Sequence, residues 1–353
     1  MSRFIQIHAL TIYAPSNLNR DDTGRPKTAK FGGAERLRIS SQALKRAIRT
    51  SEAFRTRLAG HHGERTQRLG ADICAHLVAK GLSAVASLET ARKMAEVFGK
   101  LKATTDANPA YIEQLAFVGP EERKAVFDLA DAVAGGKKLP DKSGDLVESI
   151  LRKSDTAADI AMFGRMLADN PEFNREAAVQ VAHAITTHRV EVEDDFYTAV
   201  DDLKKPSEDA GAGFIGELGF GSGVFYIYTC VDRALLLKNL GGNKQLAEQA
   251  LAGLIEGLAT ASPTGKQASF ASRSRASHLR IEKGSQQPRS LAAAFFKPLR
   301  GDDLLSASVT ELGKLADGMN HAYGPCFDGV AYTMDVASGK GSLAEAIAFA
   351  AAE

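Results

Sequence analysis

The chain has 353 residues, of which 44% are hydrophobic and 25% are charged, and its formal net charge is +1. That composition allows a sizeable hydrophobic core and is ordinary for a soluble protein of about two domains. No apolar run approaches the roughly 20 residues that span a bilayer, and the N-terminal residues show no signal-peptide core, so we expect neither a membrane-spanning nor an exported protein.

The net charge hides an uneven distribution along the chain. Residues 1–60 contain twelve Lys and Arg against four Asp and Glu, and residues 262–300 contain eight against one. The remainder contains 24 basic and 38 acidic residues. Two basic segments in an otherwise acidic protein indicate a polyanionic partner, and the segregation also favours head-to-tail packing between copies.

Three widely spaced cysteines, Cys74, Cys230 and Cys326, form no C-x-x-C pair. Unpaired cysteines of this kind pack as small apolar side chains and are typical of proteins in a reducing compartment. We therefore expect a cytoplasmic protein.

The first predicted element is a strand over residues 4–13, where polar and apolar side chains alternate until Pro15 ends it. A polar loop over residues 16–35 follows, and a loop of that length in a compact domain is usually functional or disordered. A basic helix is then predicted from Gln42 to about Leu58, with Ser40 or Ser41 as its N-cap.

The two faces of this basic helix differ in chemistry. The inward face is apolar at helical spacing and consists of Ala43, Leu44, Ala47 and Ile48. The outward face presents amide and cationic donors and consists of Gln42, Lys45, Arg46 and Arg49. Such a face fits a phosphate backbone, and its simplest alternative is a solvated basic surface.

Residues 64–190 are predicted to be a helical insertion. Helices are expected over residues 72–82 and 85–101, from Pro120 to Gly135, and over 157–169 and 171–188. Residues 191–223 then place acidic side chains around Phe196-Tyr197 and continue as a glycine-rich stretch.

The last third is predicted to alternate strands and helices. Strands are expected over residues 224–231, 269–281 and 290–296, and helices over 245–258, 310–321 and 343–352. With the helical insertion set aside, the order matches a split βαβ, ferredoxin-like sheet, which is the topology of the RNA-recognition motif. The usual aromatic signature of that motif is absent from these strands.

Several motifs fail as catalytic or nucleotide sites. The G-x-G-x-x-G at residues 211–216 lacks a preceding strand and a following helix, and residues 263–267 lack the spacing of a phosphate loop. His183 and His188 are five residues apart, which does not place two zinc ligands on one helical face. The role of Asp21 and Asp22 remains open. They are either turn-forming carboxylates or the site of a metal-dependent nuclease.

Long ordered motifs in the first 250 residues resemble the CasC family, the backbone (Cas7-type) subunit of the type I-E CRISPR Cascade complex. They are the segments PSNLNRDD at 15–22, FGG at 31–33, RISSQALKRAIR at 38–49, DIAMFGRM at 159–166, VAHAITTH at 181–188, FYTAVDDL at 196–203, SGVFY at 222–226 and NLGG at 239–242.

The resemblance implies an α+β protein shaped like a hand. It would have an RNA-recognition-motif-like (ferredoxin-like) palm at residues 1–60 and 224–353, inserted helical fingers at 61–190, and a β-hairpin thumb at 191–223. Glycines between Gly211 and Gly223 would let the thumb bend. Copies would stack along one CRISPR guide RNA, with other Cascade subunits, and would leave its bases free to pair with target DNA.

The candidate RNA-binding residues fall into three groups. Those expected at phosphates, from the polar loop and the basic helix, are Arg20, Lys27, Ser40, Gln42, Lys45, Arg46 and Arg49. Those that the resemblance adds are Met166 on the fingers, Phe196, Tyr197 and Thr198 on the thumb, and Lys266 on a basic loop. Those added from the charge distribution alone are Arg273, Arg275 and Arg280.

The sequence therefore predicts a non-catalytic guide-RNA scaffold without cofactor, metal ligands or membrane contact. Two alternatives stay open. One is a metal-dependent RNase that uses Asp21 and Asp22, and the other is a general single-strand-binding protein.

Overall fold

The computed structural model of the chain describes residues 2–199, 202 and 214–352. It is a mixed α+β structure that contains a large antiparallel sheet. The Cα positions separate two compact units. The first comprises Met1–Phe54, Val181–Val231 and Leu251–Glu353, and the second comprises Arg55–Gln180 and Asp232–Ala250.

Strands and helices are interspersed along the chain. The strands are β1 (Phe4–Ser16), β2 (Thr28–Phe31), β3 (Ala34–Ile39), β4 (Glu64–Thr66), β5 (Ala116–Val118), β6 (Val179–Val181), β7 (Ala184–Thr186), β8 (Glu193–Ala199), β9 (Phe214–Asp232), β10 (Ala276–Gly284) and β11 (Tyr332–Asp335). The helices are α1 (Ser41–Thr50), α2 (Glu52–Arg57), α3 (Leu69–Ala79), α4 (Ala84–Glu96), α5 (Pro120–Ala134), α6 (Ser143–Ile150), α7 (Ala158–Phe163), α8 (Arg233–Asn239), α9 (Lys244–Thr260), α10 (Gln267–Phe270), α11 (Leu304–Tyr323) and α12 (Leu343–Ala351). Short 3₁₀ turns cover Pro171–Phe173 and Ala292–Phe295. Among the described helices, none is long and apolar enough to cross a membrane.

The sheet of the first unit has the strand order β11-β10-β1-β9-β7-β3-β2, and β8 pairs with β9. β1 is central and is buried on both faces from Ile5 to Thr11. It pairs antiparallel with β10 from Phe4 opposite Gly284 to Thr11 opposite Ala276. The predicted strand over residues 4–13 is thus confirmed, but Pro15 does not end it. Pro15 lies beyond the last β10 partner, so its missing N–H costs no bond to that strand.

The predicted basic helix is broken in two. Ser40 is its N-cap, as expected, because the Ser40 hydroxyl accepts the Ala43 N–H at 3.3 Å. Ser51 is extended and ends α1. Its hydroxyl donates to the Ile48 carbonyl at 2.7 Å and accepts the Phe54 N–H at 3.2 Å, so the same residue ends one helix and starts the next.

The helices α3, α4 and α5 of the second unit confirm three sequence predictions. The helix predicted over 157–169 is shorter, because Gly164 has φ +81° and ends α7. The helix predicted over 171–188 is wrong. This stretch contains a 3₁₀ turn and the short strands β6 and β7, and β7 pairs with both β3 and β9. Long-range strand pairing overrides local helical periodicity in this segment.

The predictions for the last third are mixed. Helices α9, α11 and α12 are confirmed, whereas the predicted strand over 290–296 is a 3₁₀ turn. β10 begins only at Ala276, where its pairing with β1 begins. β9 begins at Phe214, so it includes the glycine-rich residues up to Gly223 as well as the strand predicted over 224–231.

The turn between β2 and β3 shortens the predicted 16–35 loop. Gly32 and Gly33 have φ +59° and +75° between Phe31 and its strand partner Ala34, which is the geometry of a two-residue hairpin turn. A Cβ on Gly32 would overlap the carbonyl oxygen of Phe296, whereas a Cβ on Gly33 would meet nothing within 4 Å.

A buried arginine also holds the β2–β3 hairpin in place. Arg36 on β3 is 0% exposed and donates hydrogen bonds of 2.8 Å to the carbonyls of Thr186 and Phe295. Arg36 counts toward the charge of the first basic segment. Its side chain is buried and bonded to two carbonyls, however, so it is not available to an external anion.

The two glycines provide a matched pair for a stability test. Gly33→Ala should cost about 1–2 kcal/mol, the cost of a left-handed backbone conformation for a residue with a Cβ. Gly32→Ala should cost a further ~1–3 kcal/mol, because its Cβ also displaces the segment that contains Phe296. Urea unfolding followed by circular dichroism measures both, and equal losses of unfolding free energy would show that the contact with Phe296 is unimportant.

Candidate nucleic-acid interface

Helix α1 packs its apolar face into the first unit. Leu44, Ala47 and Ile48 are buried, and a Cβ on Gly257 of α9 would lie 3.0 Å from the Ile48 side chain. The close approach of the two helices fixes α1 against rotation, so its opposite face keeps one orientation toward the solvent.

The outward face of α1 is as the sequence predicted. Gln42 and Arg46 are exposed, and Lys45 and Arg49 are half-buried. Burial lowers the pKa of the Lys45 ammonium. A partly desolvated cation has less water to lose, so it contributes more to an ion pair with a phosphate than a fully hydrated one does.

The start of α1 also favours an anion. Its first turn contains no acidic residue, and the unpaired N–H groups and the helix dipole both place partial positive charge there. Ser40 itself is only 7% exposed, and its hydroxyl is engaged as the cap. The structure thus shows Ser40 shaping the helix terminus. Its expected phosphate contact stays a prediction.

The 17–27 loop, which runs from β1 to β2, lies against this helix start. The side-chain oxygen of Asn19 accepts the Ser40 N–H at 2.8 Å, and the Asn19 carbonyl accepts the Lys27 N–H at 2.8 Å. These bonds bring the exposed Arg20 and the half-buried Lys27 to the same end of α1.

Asp21 organises that loop. One of its carboxylate oxygens accepts the N–H of Thr23 at 2.9 Å, the hydroxyl of Thr23 at 2.8 Å and the N–H of Arg25 at 3.0 Å. The hydroxyl bond and the N–H bonds lower the pKa of the Asp21 carboxyl. In the described part of the chain, no three His, Cys, Asp or Glu side chains are grouped to hold a metal ion.

The second basic segment meets the 17–27 loop at Gly265. A Cβ there would overlap the Leu18 carbonyl oxygen, so the two segments are in direct contact. The next residue, Lys266, is half-buried and has φ +51°, which is uncommon for a residue with a Cβ. The structure therefore brings Lys266 to the loop that contains Arg20 and Lys27.

The three arginines chosen from charge alone have different surroundings. Arg273 and Arg275 are exposed ahead of β10. Arg280 is half-buried, and its Nε donates to the carboxylate of the buried Glu282 at 2.7 Å. The same carboxylate also accepts from Arg289, so Arg280 is engaged within the protein, and its expected contact with a polyanion stays a prediction.

Strands β8 and β9 form a hairpin whose side chains point to two faces. Phe196 is opposite Glu217, Tyr197 is opposite Gly216 and Thr198 is opposite Ile215. Because side chains alternate along a strand, Phe196 and Thr198 share one face and Tyr197 lies on the other. Phe196 is 67% exposed and Tyr197 is 44% exposed.

Each face of this hairpin has a second apolar residue that the sequence analysis missed. Ile215 is 61% exposed on the Phe196 face, and Phe214 is 56% exposed on the Tyr197 face. The Phe214 and Tyr197 rings have centroids 6.1 Å apart, and a Cβ on Gly216 would overlap the Tyr197 ring. The resemblance implied a β-hairpin here, but the glycine-rich composition concealed its further apolar side chains, and the alternation of Phe214, Leu218 and Phe220 was the signal that could have revealed them.

Two expectations concern other parts of the chain. Met166 follows α7 in the second unit and is 77% exposed. Gly211 and Gly213, which were expected to bend the thumb, lie outside the described residues, as do Val200, Asp201 and Leu203 of the FYTAVDDL motif.

The model of the CT1975-like protein family matches residues 5–348. The chain belongs to this family. Among solved structures, it is similar to a chain of a "CRISPR RNA-guided surveillance complex, pre-nicking", with a TM-score of 0.85 and 31% identity over 99% of this chain and 100% of that one. It is also similar to a chain of a "CRISPR RNA-guided surveillance complex", with a TM-score of 0.74 and 26% identity over 98% and 99% of the two chains. A search of curated proteins found no match.

These likenesses extend over nearly the whole length of both chains. The CT1975-like chain therefore has the fold of a surveillance-complex subunit, which confirms the resemblance read from the motifs at that level. The type I-E assignment stays a prediction.

Proposed function

We propose that this CT1975-like protein is the non-catalytic backbone subunit of a CRISPR surveillance complex of type I-E, and that copies of it assemble along the guide RNA. The observation that carries the proposal is the arrangement within the first unit. A cationic helix face, the loop that contains Arg20 and Lys27, and Lys266 lie together, and β9 extends from the same sheet into an aromatic hairpin.

The central strands support an RNA-recognition-like palm. In the order β10-β1-β9-β7, α1 lies between β1 and β7 in the chain, and α9 lies between β9 and β10. A split βαβ sheet has this order of strands and crossover helices. Helix α1 is joined to β3 of this sheet by Ser40 alone, so the sheet anchors the start of the helix, where a phosphate would be held.

The chemistry of α1 supports sequence-independent binding of a guide. Ammonium, guanidinium and amide groups can all donate to phosphate oxygens, and contacts to phosphates carry no sequence information. A guide must keep its Watson–Crick edges free to pair with target DNA. A surface that holds only the backbone meets that requirement.

The hairpin supports the role of a thumb that wedges between bases. Both of its faces expose apolar side chains, so it could contact one base on each side. Stacking on aromatic rings tolerates any base, as a guide of variable sequence demands. Met166 of the second unit is an exposed thioether, which also packs well on a base.

The charge pattern supports self-assembly. The two basic segments would bind the polyanionic guide. The remaining chain has fourteen more acidic than basic residues, so its surface can pack against the basic surface of another copy. The partners proposed on this basis are guide RNA, further copies, other Cascade subunits and, through the guide, target DNA.

The proposal assigns Asp21 a structural role. Its three hydrogen bonds hold the loop, and that use explains the carboxylate without a nuclease reaction. Cleavage of the target would then fall to another protein, and this chain would need neither metal nor cofactor.

The phosphate role of α1 predicts a change in salt dependence. Lys45→Ala with Arg49→Ala should weaken binding of guide RNA and flatten the plot of log K against log salt by about 0.7 per lost phosphate contact. The matched control removes two exposed cations elsewhere, Lys124→Ala with Lys314→Ala, and should leave the slope unchanged. Equal slopes for both double variants and the unmodified protein would contradict the assignment.

The wedge role predicts that each hairpin face contributes to regular spacing on the guide. Phe196→Ala with Ile215→Ala, or Tyr197→Ala with Phe214→Ala, should blur the ladder of fragments that nuclease digestion leaves. Stacking on aromatic side chains contributes about 1–3 kcal/mol per base, so guide affinity should also fall. Val85→Ala, which removes an apolar side chain that is 70% exposed on α4, is the control. An unaltered ladder in both face variants would exclude the wedge.

A further inference from the structure

We propose that the 17–27 loop is a bracket that fixes the root of the β8–β9 hairpin relative to α1, and that Asn17, Arg25 and Asp194 are the residues that position the hairpin. The inference rests on the proposed function, because the position being set is where the hairpin would cross the guide. It gives a positioning role to residues that would contact neither phosphate nor base.

The first contact between loop and hairpin is an ion pair. Nη1 of Arg25 lies 2.7 Å from Oδ1 of Asp194, and Nη2 lies 3.4 Å from Oδ2. Two parallel contacts define the direction of approach as well as the distance. Asp194 is the second residue of β8, so the pair acts at the root of the hairpin.

The second contact is a buried amide. Asn17 is 0% exposed, and its Nδ2 donates to the carbonyls of Gly219 and Gly24, both at 2.9 Å. One side chain thus joins β9 to the far end of the loop. Loss of that amide would leave carbonyls without a donor in the interior, which is costly.

The ion pair and the amide contact hold two hairpin residues that lie opposite each other. Asp194 of β8 is the strand partner of Gly219 of β9. The loop therefore holds both strands at one position, which prevents the hairpin from pivoting about either strand. Packing adds to this restraint, because a Cβ on Gly219 would lie 3.1 Å from the Pro26 ring.

The other end of the bracket is α1. The side-chain oxygen of Asn19 accepts the Ser40 N–H at 2.8 Å. Between the two ends the loop is braced by Asp21, whose N–H donates to the Arg25 carbonyl at 2.9 Å while its carboxylate accepts from Thr23 and Arg25. The phosphate-holding helix and the hairpin are therefore linked through one stiff segment.

This linkage has a functional consequence. If α1 holds a phosphate, the bracket determines how far along the strand the hairpin meets the bases. Functional geometries require side chains to be held within about 0.5 Å, which a hairpin free to swing at its root would not achieve. Breaking the bracket should therefore disturb spacing more than affinity.

The test is a charge reversal with a matched control. Asp194→Arg places a cation against Arg25, and like charges at that distance repel. Glu193→Arg makes the same change in charge one residue earlier, where the side chain faces the other way and the strand partner is Phe220. The double variant Arg25→Asp with Asp194→Arg restores an opposite-charge pair.

Two measurements are made on each variant. Hydrogen–deuterium exchange of β8 in the free protein reports whether the root has loosened, and nuclease digestion of the guide-bound protein reports the spacing. In Asp194→Arg, the β8 amides should exchange faster and the ladder of digestion fragments should blur. Its affinity for the guide should stay within about twofold of that of Glu193→Arg. The double variant should recover both properties.

The outcomes separate this inference from the proposed function. Slow exchange and a sharp ladder in Asp194→Arg would overturn the bracket, and so would an equal effect of Glu193→Arg. Fast exchange with an unchanged ladder would show that the bracket exists but positions nothing, which also overturns the inference. An unmodified protein that leaves no ladder would refute the proposed function, while the exchange data would still decide whether the bracket exists.

Discussion

Strand β9 is the constraint on which the arrangement depends. It runs for 19 residues from Phe214 to Asp232, pairs with β8 at its start, and lies between β1 and β7 in the sheet further on. The exposed aromatic hairpin is therefore a continuation of a core strand. Helix α1 is joined to β3 of the same sheet by Ser40 alone, so the cationic helix and the hairpin are both connected to this sheet, and the 17–27 loop links them a second time.

The elements that local chemistry specifies could be predicted from the sequence. The cap at Ser40, the apolar stripe of α1 and the alternation in β1 each depend on neighbouring residues only. The outward cationic face of α1 could be predicted as well, whereas its contact with phosphate stays a prediction. Arg36 and Arg280 show the limit of counting charge, because their partners are a pair of distant carbonyls and a buried carboxylate.

The elements that distant partners specify could not be predicted. Residues 171–188 have helical periodicity, yet β7 forms because β3 and β9 provide hydrogen-bond partners on both sides. The start of β9 could not be located from residue propensity, because glycine is a poor strand former, and only the family resemblance implied a β-hairpin there. There, Gly216 makes room for the Tyr197 ring and Gly219 for the 17–27 loop, and both contacts depend on residues earlier in the chain.

The central claim is assembly along a guide, and native mass spectrometry of the reconstituted complex tests it most directly. Guides of two lengths, each with the same ends, would be bound to saturation, and the bound copies counted. We expect the number of copies to rise in whole steps as the guide lengthens, because each copy holds a fixed run of phosphates between successive hairpins. A fixed number of copies at both lengths would contradict assembly along the guide.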